Sequence, residues 1–346
     1  MERRRLVGVA LVLASAFGFG SGALFAKPVY ETGVDWHVLS AWRFGFGAIL
    51  AWTWLLLLPD RRAALRRIGK REVLVALALG VLYSANSGSY YAGLETVPVS
   101  LAALLVYIYP VLVAVLALRF GRRLEGRRAW IALGMAVAGV ILAVGGIDPS
   151  NVPPLDGLLL VVVSPVIYAA WIVLAARLSG ERRGSRTASA EVGAAAATAS
   201  ALMITATATT WWVTALAAGR EVLPGQIPTM AWPGLVGIGV LSTFVAIQGF
   251  YAGAQRVGAA QAALISTVEP LWTIGLAALL LGERLGPVQL AGGGLILAGV
   301  ILAQTGRQGA SRPSGGDDAQ PARAASSAAV APSMTNVPSD PIPRNR

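Results

Sequence analysis

The chain consists mainly of long apolar runs, and their length constrains its fold more than any other feature. A helix that crosses a bilayer needs about 20 mostly apolar residues, and ten runs are near that length. Backbone groups in lipid must find partners within the segment, so we expect helices and an all-α polytopic membrane protein. The predicted spans are 6–26, 36–58, 73–94, 100–120, 129–145, 155–177, 192–218, 232–255, 259–281 and 288–305.

Composition supports a lipid environment. Only 13% of the residues are charged and 55% are hydrophobic, whereas a soluble domain carries roughly a quarter charged residues. A chain with so little charge cannot cover a water-facing surface. The chain also has no cysteine, which excludes disulfides, thiol catalysis and cysteine metal sites.

The basic residues predict the topology. Segments 3–5, 61–71, 122–128 and 182–186 are rich in arginine, and each follows or precedes a pair of predicted spans. The intervening segments contain only Arg220 and Arg284 as basic residues. Because Lys and Arg stay on the cytoplasmic side, we expect both termini in the cytoplasm and a multi-pass protein of the inner or plasma membrane. The net charge of +11 arises from these short clusters, so nucleic acid is not an expected partner.

Comparison of the chain with itself divides it into two related parts. The matches share an offset of 160 residues: 91–93 with 251–253, 102–104 with 262–264, 110 with 270 and 139–142 with 299–302. We therefore predict a first five-helix repeat at 1–148 and a second at 149–305. Residues 306–346 are rich in Ala, Pro, Ser and Gly, and we predict a disordered cytoplasmic tail.

The two repeats are expected to be inverted relative to each other, because five spans is an odd number. The charges agree: the loop after the fourth span holds four arginines, while its counterpart after the ninth holds only Arg284. Two similar halves in opposite orientation can exchange conformations around a site near the midplane. This pattern predicts a transporter that works by alternating access.

Several motifs are similar to those of a known family. They are Phe17-Gly18-Phe19-Gly20, Arg43, Glu269-Pro270, Gly282-Glu283-Arg284-Leu285 and the glycines from Gly292 to Gly299. Over nearly all of 6–305 the chain resembles the EamA-type family of the drug/metabolite transporter superfamily. The resemblance implies ten helices around a central cavity and export or uptake of metabolites such as amino acids. The first repeat departs from the second, with Tyr109 before Pro110 and, after a one-residue slip in the register, Arg122 at the position of Glu283. Glutamate-dependent coupling would therefore rest on one half.

Two ionisable residues are the strongest site candidates. Glu269 lies near the middle of the ninth predicted span, where a charge is costly. It is expected to carry a proton or meet a cationic group, or else to support helix packing only. Arg43 lies several residues inside the second span. It could pair with Glu269, bind a substrate carboxylate or extend toward the interface.

Other candidates are polar or aromatic residues inside the spans, expected to line a cavity or to join helices. They are Tyr83, Asn86, Tyr90, Tyr107, Trp171, Gln248 and Trp272. Pro110 and Pro270 occupy matching positions in the two repeats and are expected to kink their helices, either as plain kinks or as hinges. The glycines of the fifth and tenth spans allow close helix approach, in packing or in a homodimer.

The chain shows no enzyme or cofactor signature. A single histidine excludes a multi-histidine metal centre, and no phosphate-binding glycine loop is present. We therefore expect no cofactor and a secondary transporter, an exporter of amino-acid-like or other small metabolites, with proton coupling as one option. The alternatives are a multidrug-type efflux carrier, an uncoupled facilitator or channel, and a membrane-embedded enzyme.

Overall fold

The computed structural model describes residues 2–119, 127–147, 150, 152–178, 189–257, 262 and 265–309. Within these ranges there is no strand. The helices are α1 (Glu2–Gly20), α2 (Gly22–Glu31), α3 (Trp36–Leu57), α4 (Pro59–Arg67), α5 (Lys70–Leu94), α6 (Val99–Val106), α7 (Tyr109–Arg119), α8 (Arg127–Gly145), α9 (Leu155–Leu178), α10 (Ser189–Ala217), α11 (Trp232–Gly237), α12 (Ala246–Val257), α13 (Val268–Leu280) and α14 (Pro287–Gly309). The π segment, Ile238–Val245, joins α11 to α12.

The described helices agree with the predicted membrane fold. Among the described residues, five stretches are long and apolar enough to cross a membrane: Arg4–Glu31, Trp36–Leu57, Lys70–Leu94, Leu155–Ala175 and Thr229–Ala254. Shorter apolar stretches are Val99–Val113, Trp130–Gly145, Val268–Leu280 and Pro287–Leu302. The number of crossings, ten, and the side of the termini stay predictions. Most of the predicted tail lies outside the described residues, although α14 continues to Gly309, beyond the predicted end of the last span.

The distribution of side chains fits lipid outside and polar contacts inside. Large apolar side chains such as Leu159, Val166 and Leu279 are exposed. Serines, threonines and an asparagine are buried instead, among them Asn86 and Thr243. A water-soluble protein buries its apolar side chains and exposes polar ones, whereas lipid provides no driving force to hide leucine. Hydrogen bonds and close packing therefore hold these helices together.

Four predicted spans differ from continuous α-helices. The first divides at Ser21, between α1 and α2. The fourth divides between Val106 and Tyr109. In the ninth, residues 262 and 265 are helical, a turn follows at 266–267, and α13 begins at Val268. The eighth contains the π segment, and π segments are frequent at functional sites.

The two prolines predicted to kink their helices, Pro110 and Pro270, lie at helix starts, and their role as hinges stays a prediction. Each proline lies in the first turn of a helix, α7 or α13, where its missing N–H would have had no helical partner. The discontinuity therefore precedes the proline, and the proline starts a new helix. Pro28 and Pro165 do lie inside their helices.

Glycines bring α8 and α14 into close contact. A Cβ on Gly139 would lie 2.6 Å from the carbonyl oxygen of Gly292, and a Cβ on Gly292 would lie 2.5 Å from that of Gly139. Gly299 meets the carbonyl oxygen of Ala132 in the same way, at 2.8 Å. These glycines of the fifth and tenth spans therefore serve packing within one chain. The predicted homodimer stays a prediction.

The helix contacts have the pattern expected for two exchangeable halves. If spans one to five correspond to spans six to ten, a contact of span one with span eight implies an equivalent contact of span six with span three. Both contacts occur. The other three pairs of equivalent spans, two with seven, four with nine and five with ten, contact each other directly. The contacting pairs are α1 with α12, α9 with α5, α3 with α10, α6 with α13 and α8 with α14.

Candidate functional site

A small cavity lies where helices from both predicted repeats are interrupted. Its volume is about 30 Å³, which suits one or two water molecules. The first repeat and the second both contribute to its wall. The lining residues are Phe19, Gly20, Tyr90, Ala103, Val106, Tyr107, Glu269, Pro270 and Thr273.

Hydrogen bonds tie the interruptions together around this cavity. Tyr107, in the break between α6 and α7, donates its hydroxyl proton to the carbonyl oxygen of Ser266 at 2.7 Å. Ser266 lies in the turn before α13, so the two breaks are joined directly. The Thr273 hydroxyl contacts the carbonyl oxygens of Gly20, at the end of α1, and of Glu269, at 2.9 and 3.0 Å.

Glu269 brings the acidic group of the cavity. It lies in the first turn of α13, where the partial positive charge of a helix N-terminus favours a carboxylate. Among the described residues, no cation lies within ion-pair distance of its carboxylate. The predicted option of a pair between Glu269 and Arg43 is thus not observed in this conformation.

Arg43 forms a separate buried site on α3. Its side chain is only 5% exposed. Nε donates to the hydroxyl of Thr243, on the π segment, at 2.9 Å, and the guanidinium lies 4.5 Å from the centre of the Tyr91 ring. Nη1 is buried with no hydrogen-bond partner in the described structure. A buried, partly unpaired guanidinium is costly, and this one has free capacity for an anion.

Several predicted candidates join helices instead of lining this cavity. Asn86 accepts a hydrogen bond from Ser164 through Oδ1 at 3.0 Å, and Gln248 Nε2 donates to Ser200 at 3.4 Å. Trp171 Nε1 donates to the carbonyl oxygen of Leu79 at 2.8 Å. Trp272 Nε1 donates to Ser21 at 3.1 Å, at the break between α1 and α2.

Aromatic rings connect the Arg43 site with the cavity. Tyr83 contacts Phe44, beside Arg43, with ring centroids 6.1 Å apart. Tyr168 contacts Tyr83 at 6.2 Å and Tyr109 at 4.8 Å, and Tyr109 contacts the cavity residue Tyr107 at 5.8 Å. The predicted site residues do not include Tyr109, Tyr168 or Thr243. The sequence could have indicated Tyr109, because it precedes Pro110 and matches Glu269 of the second repeat. Nothing in the sequence distinguishes Thr243 from other threonines in apolar spans.

The segments that the charge pattern places on the outer side lie together at one end. Arg220 Nε lies 2.7 Å from the Asp35 carboxylate. Glu95 accepts the N–H of Trp36 at 2.8 Å. Burial raises the pKa of the Glu95 carboxyl above its usual range, and the Trp36 hydrogen bond opposes this shift only in part. The segment at Gly286 lies beside the carbonyl of Gly146.

The sequence profile of the EamA-like transporter family matches residues 6–145 and again residues 155–305. The chain belongs to the EamA-like transporter family. The resemblance stated from the motifs is thereby confirmed, and the fold is that of a multi-pass transporter. No group of three or more His, Cys, Asp or Glu residues in the described ranges could hold a metal ion.

Relatives of this EamA-like chain are also named as transporters. An "Uncharacterized transporter" of Archaeoglobus fulgidus is 27% identical over 304 residues, which cover 86% of this chain and 96% of the relative. "Uncharacterized transporter YcbK" of Bacillus subtilis is 25% identical over 312 residues, which cover 88% of this chain and 94% of the relative. A solved structure titled "Crystal structure of protein" superposes with a TM-score of 0.55 at 18% identity, covering 90% of this chain and all of that one. The last likeness shows the fold alone.

Proposed function

We propose that this transporter is a secondary carrier that moves a small metabolite by alternating access, with the cavity beside Glu269 on the transport path. The observation that carries the proposal is the position of this cavity between interrupted helices of both repeats. Interrupted helices at the interface of two repeats are the usual place for a transporter's binding site. The exchangeable helix contacts support an inverted arrangement of the halves.

The cavity must enlarge during transport, because about 30 Å³ is far below the size of a metabolite. The breaks before Pro110 and Pro270 are the hinges in this proposal. Backbone groups at these breaks already depend on side chains such as Tyr107 for their hydrogen bonds. Exchange of these bonds allows α7 and α13 to move as short rigid helices.

In this proposal Glu269 and Arg43 bind groups of opposite charge. Glu269 binds a proton or a cationic group of the substrate, since no cation in the described chain pairs with it. Arg43 binds an anionic group through its unpaired Nη1 when the path opens. Tyr90 and Tyr107 supply hydroxyl and aromatic contacts within the cavity. The proposed carrier lies in the inner or plasma membrane and exports an amino-acid-like or other small metabolite.

Flux through proteoliposomes tests it. Wild type, Glu269→Gln and the control Glu72→Gln are compared with a panel of radiolabelled amino acids and related metabolites, with and without a pH gradient. In the described part of the chain, Glu72 caps the start of α5 by accepting the N–H of Gly69, and glutamine retains that acceptor. We expect gradient-driven flux to be lost in Glu269→Gln, with substrate exchange retained, and to persist in Glu72→Gln.

The outcomes separate the alternatives. Flux that neither saturates nor shows trans-stimulation would make the protein a channel, and the carrier proposal would fail. Saturable flux that ignores both the gradient and Glu269→Gln would leave an uncoupled facilitator with a structural Glu269.

A further inference from the structure

Glu283 connects the two repeats at the end where the outer segments meet. Its Oε1 accepts the N–H of Val99 at 2.9 Å, and its Oε2 accepts the N–H of Ser100 at 2.7 Å. These N–H groups belong to the first turn of α6 and have no partner within the helix. A carboxylate there gains charge-assisted hydrogen bonds and a favourable interaction with the helix dipole.

The backbone holds Glu283 in position for this contact. Gly282 adopts a left-handed conformation, with φ of 68°, which turns the chain directly after α13. The N–H of Glu283 then donates to the carbonyl oxygen of Ala277 at 3.2 Å. The side chain is thus presented to α6 by a fixed turn.

Both helices joined by Glu283 also form the cavity. α6 contributes Ala103 and Val106 to its lining, and α13 contributes Glu269 and Thr273. Glu283 follows Glu269 by 14 residues, most of them in α13, which places it roughly 16–20 Å along the helix axis. The contact therefore joins α6 and α13 at one end, and the cavity lies between the same two helices farther along their axes.

The first repeat carries a residue of opposite charge at the position that matches Glu283. Arg122 stands where the second repeat has Glu283. Arginine has no acceptor and cannot take a hydrogen bond from a helix N-terminus, and its charge is unfavourable there. Arg122 therefore cannot accept the hydrogen bonds that Glu283 accepts.

We infer that the Glu283 clasp, the pair of hydrogen bonds from the N–H groups of Val99 and Ser100 to the Glu283 carboxylate, is a gate that closes the cavity toward the side of segment 282–287. Because the matching position of the first repeat is an arginine, the conformation closed on the side of segment 282–287 is the resting state. The inference rests on the proposed alternating-access function and adds the side of closure and the residue responsible.

Side-specific labelling tests the gate, since the chain has no cysteine of its own. Ala103→Cys serves as a reporter in the cavity wall, alone and combined with Glu283→Ala, Glu283→Gln or the control Glu72→Ala. Glu72 also accepts a backbone N–H at the start of a helix, but at α5, directly after the basic segment 61–71. A membrane-impermeant maleimide is applied to right-side-out and inside-out vesicles without substrate.

Loss of the clasp should raise the labelling rate from the 282–287 side about tenfold in Glu283→Ala, the shift expected for a lost helix cap. Glu283→Gln keeps one acceptor oxygen, so its labelling rate should rise less. If Glu283→Ala does not fold, the labelling rate of Glu283→Gln serves as the test. Glu72→Ala should label like wild type. Unchanged labelling in both Glu283 variants, or an equal rise from both sides, would overturn the inference. The readout needs no transport, so a failed gate and a failed carrier proposal are distinguishable.

Discussion

At the residue scale, burial and hydrogen-bond partners divide the polar residues of the spans into two groups. Tyr90, Tyr107 and Glu269 share one cavity. Asn86 and Gln248 are bonded to serines on neighbouring helices, which is the role of interhelical adhesion. The sequence alone does not separate cavity residues from helix-joining residues. Periodicity shows that a helical face is buried, but not whether a cavity or another helix faces it.

Thr243→Val should destabilise the fold through Arg43. The change removes the hydroxyl that accepts from Arg43 Nε and leaves a buried cation with a further unpaired donor. We expect the free energy of unfolding to fall by about 1–3 kcal/mol. Thermal or denaturant unfolding of the purified protein in detergent measures this.

The matched control is Thr209→Val on α10. Thr209 is exposed and its hydroxyl bonds only to the carbonyl of Thr205 within the same helix. Its replacement should change the free energy of unfolding by less than about 0.5 kcal/mol. Equal effects of the two substitutions would show that the Arg43 contact contributes nothing particular.

At the element scale, the interruptions of the helices lie beside the proposed site. Runs of apolar residues predict continuous spans, and the structure divides four of them or changes their winding. The prolines at 110 and 270 mark the helix starts after two breaks. The π segment has no such marker, and it arises where Thr243 bonds both to Arg43 and to the carbonyl of Ile238.

Gly139→Ala should weaken the contact of α8 with α14. The added methyl group would fall 2.6 Å from a carbonyl oxygen of α14, so the helices must separate. We expect a loss of about 1–3 kcal/mol in the free energy of unfolding, as for other overpacked sites. Gly134→Ala on the same helix has no atom within 4 Å of the new Cβ and should be neutral or stabilising by up to about 1 kcal/mol. Unfolding curves in which Gly139→Ala matches Gly134→Ala would contradict the close packing.

At the scale of the whole molecule, the arrangement of the loops follows the charge pattern. Segments around Asp35, Glu95, Gly146, Arg220 and Glu283 contact one another at one end, as alternating spans require. The arginine-rich α4 lies in one of the segments assigned to the other side. The positive-inside rule predicts the orientation of these ends in the membrane.

Single cysteines test this orientation. Ala63→Cys, exposed on α4, should react with an impermeant maleimide only from the cytoplasmic side, and Gly225→Cys, exposed between α10 and α11, only from outside. Intact cells and inside-out vesicles supply the two exposures. Labelling of both positions from the same side would refute the predicted topology.

The sequence by itself determined the membrane class, the repeat, the family and the grouping of loops. These properties depend on composition, on local periodicity and on charge counted along the chain. None of them changes when a predicted helix end is wrong by a few residues. Glu269 was also recognisable, because a lone carboxylate in an apolar span is costly wherever it lies.

Only the tertiary structure decided which side chains meet. Glu283 reaches Val99 across 184 residues, and Arg43 reaches Thr243 across 200. No local pattern encodes such contacts, since they depend on the packing of helices that are far apart in the chain. The same holds for the cavity, whose wall exists only once the interrupted helices of both repeats have come together.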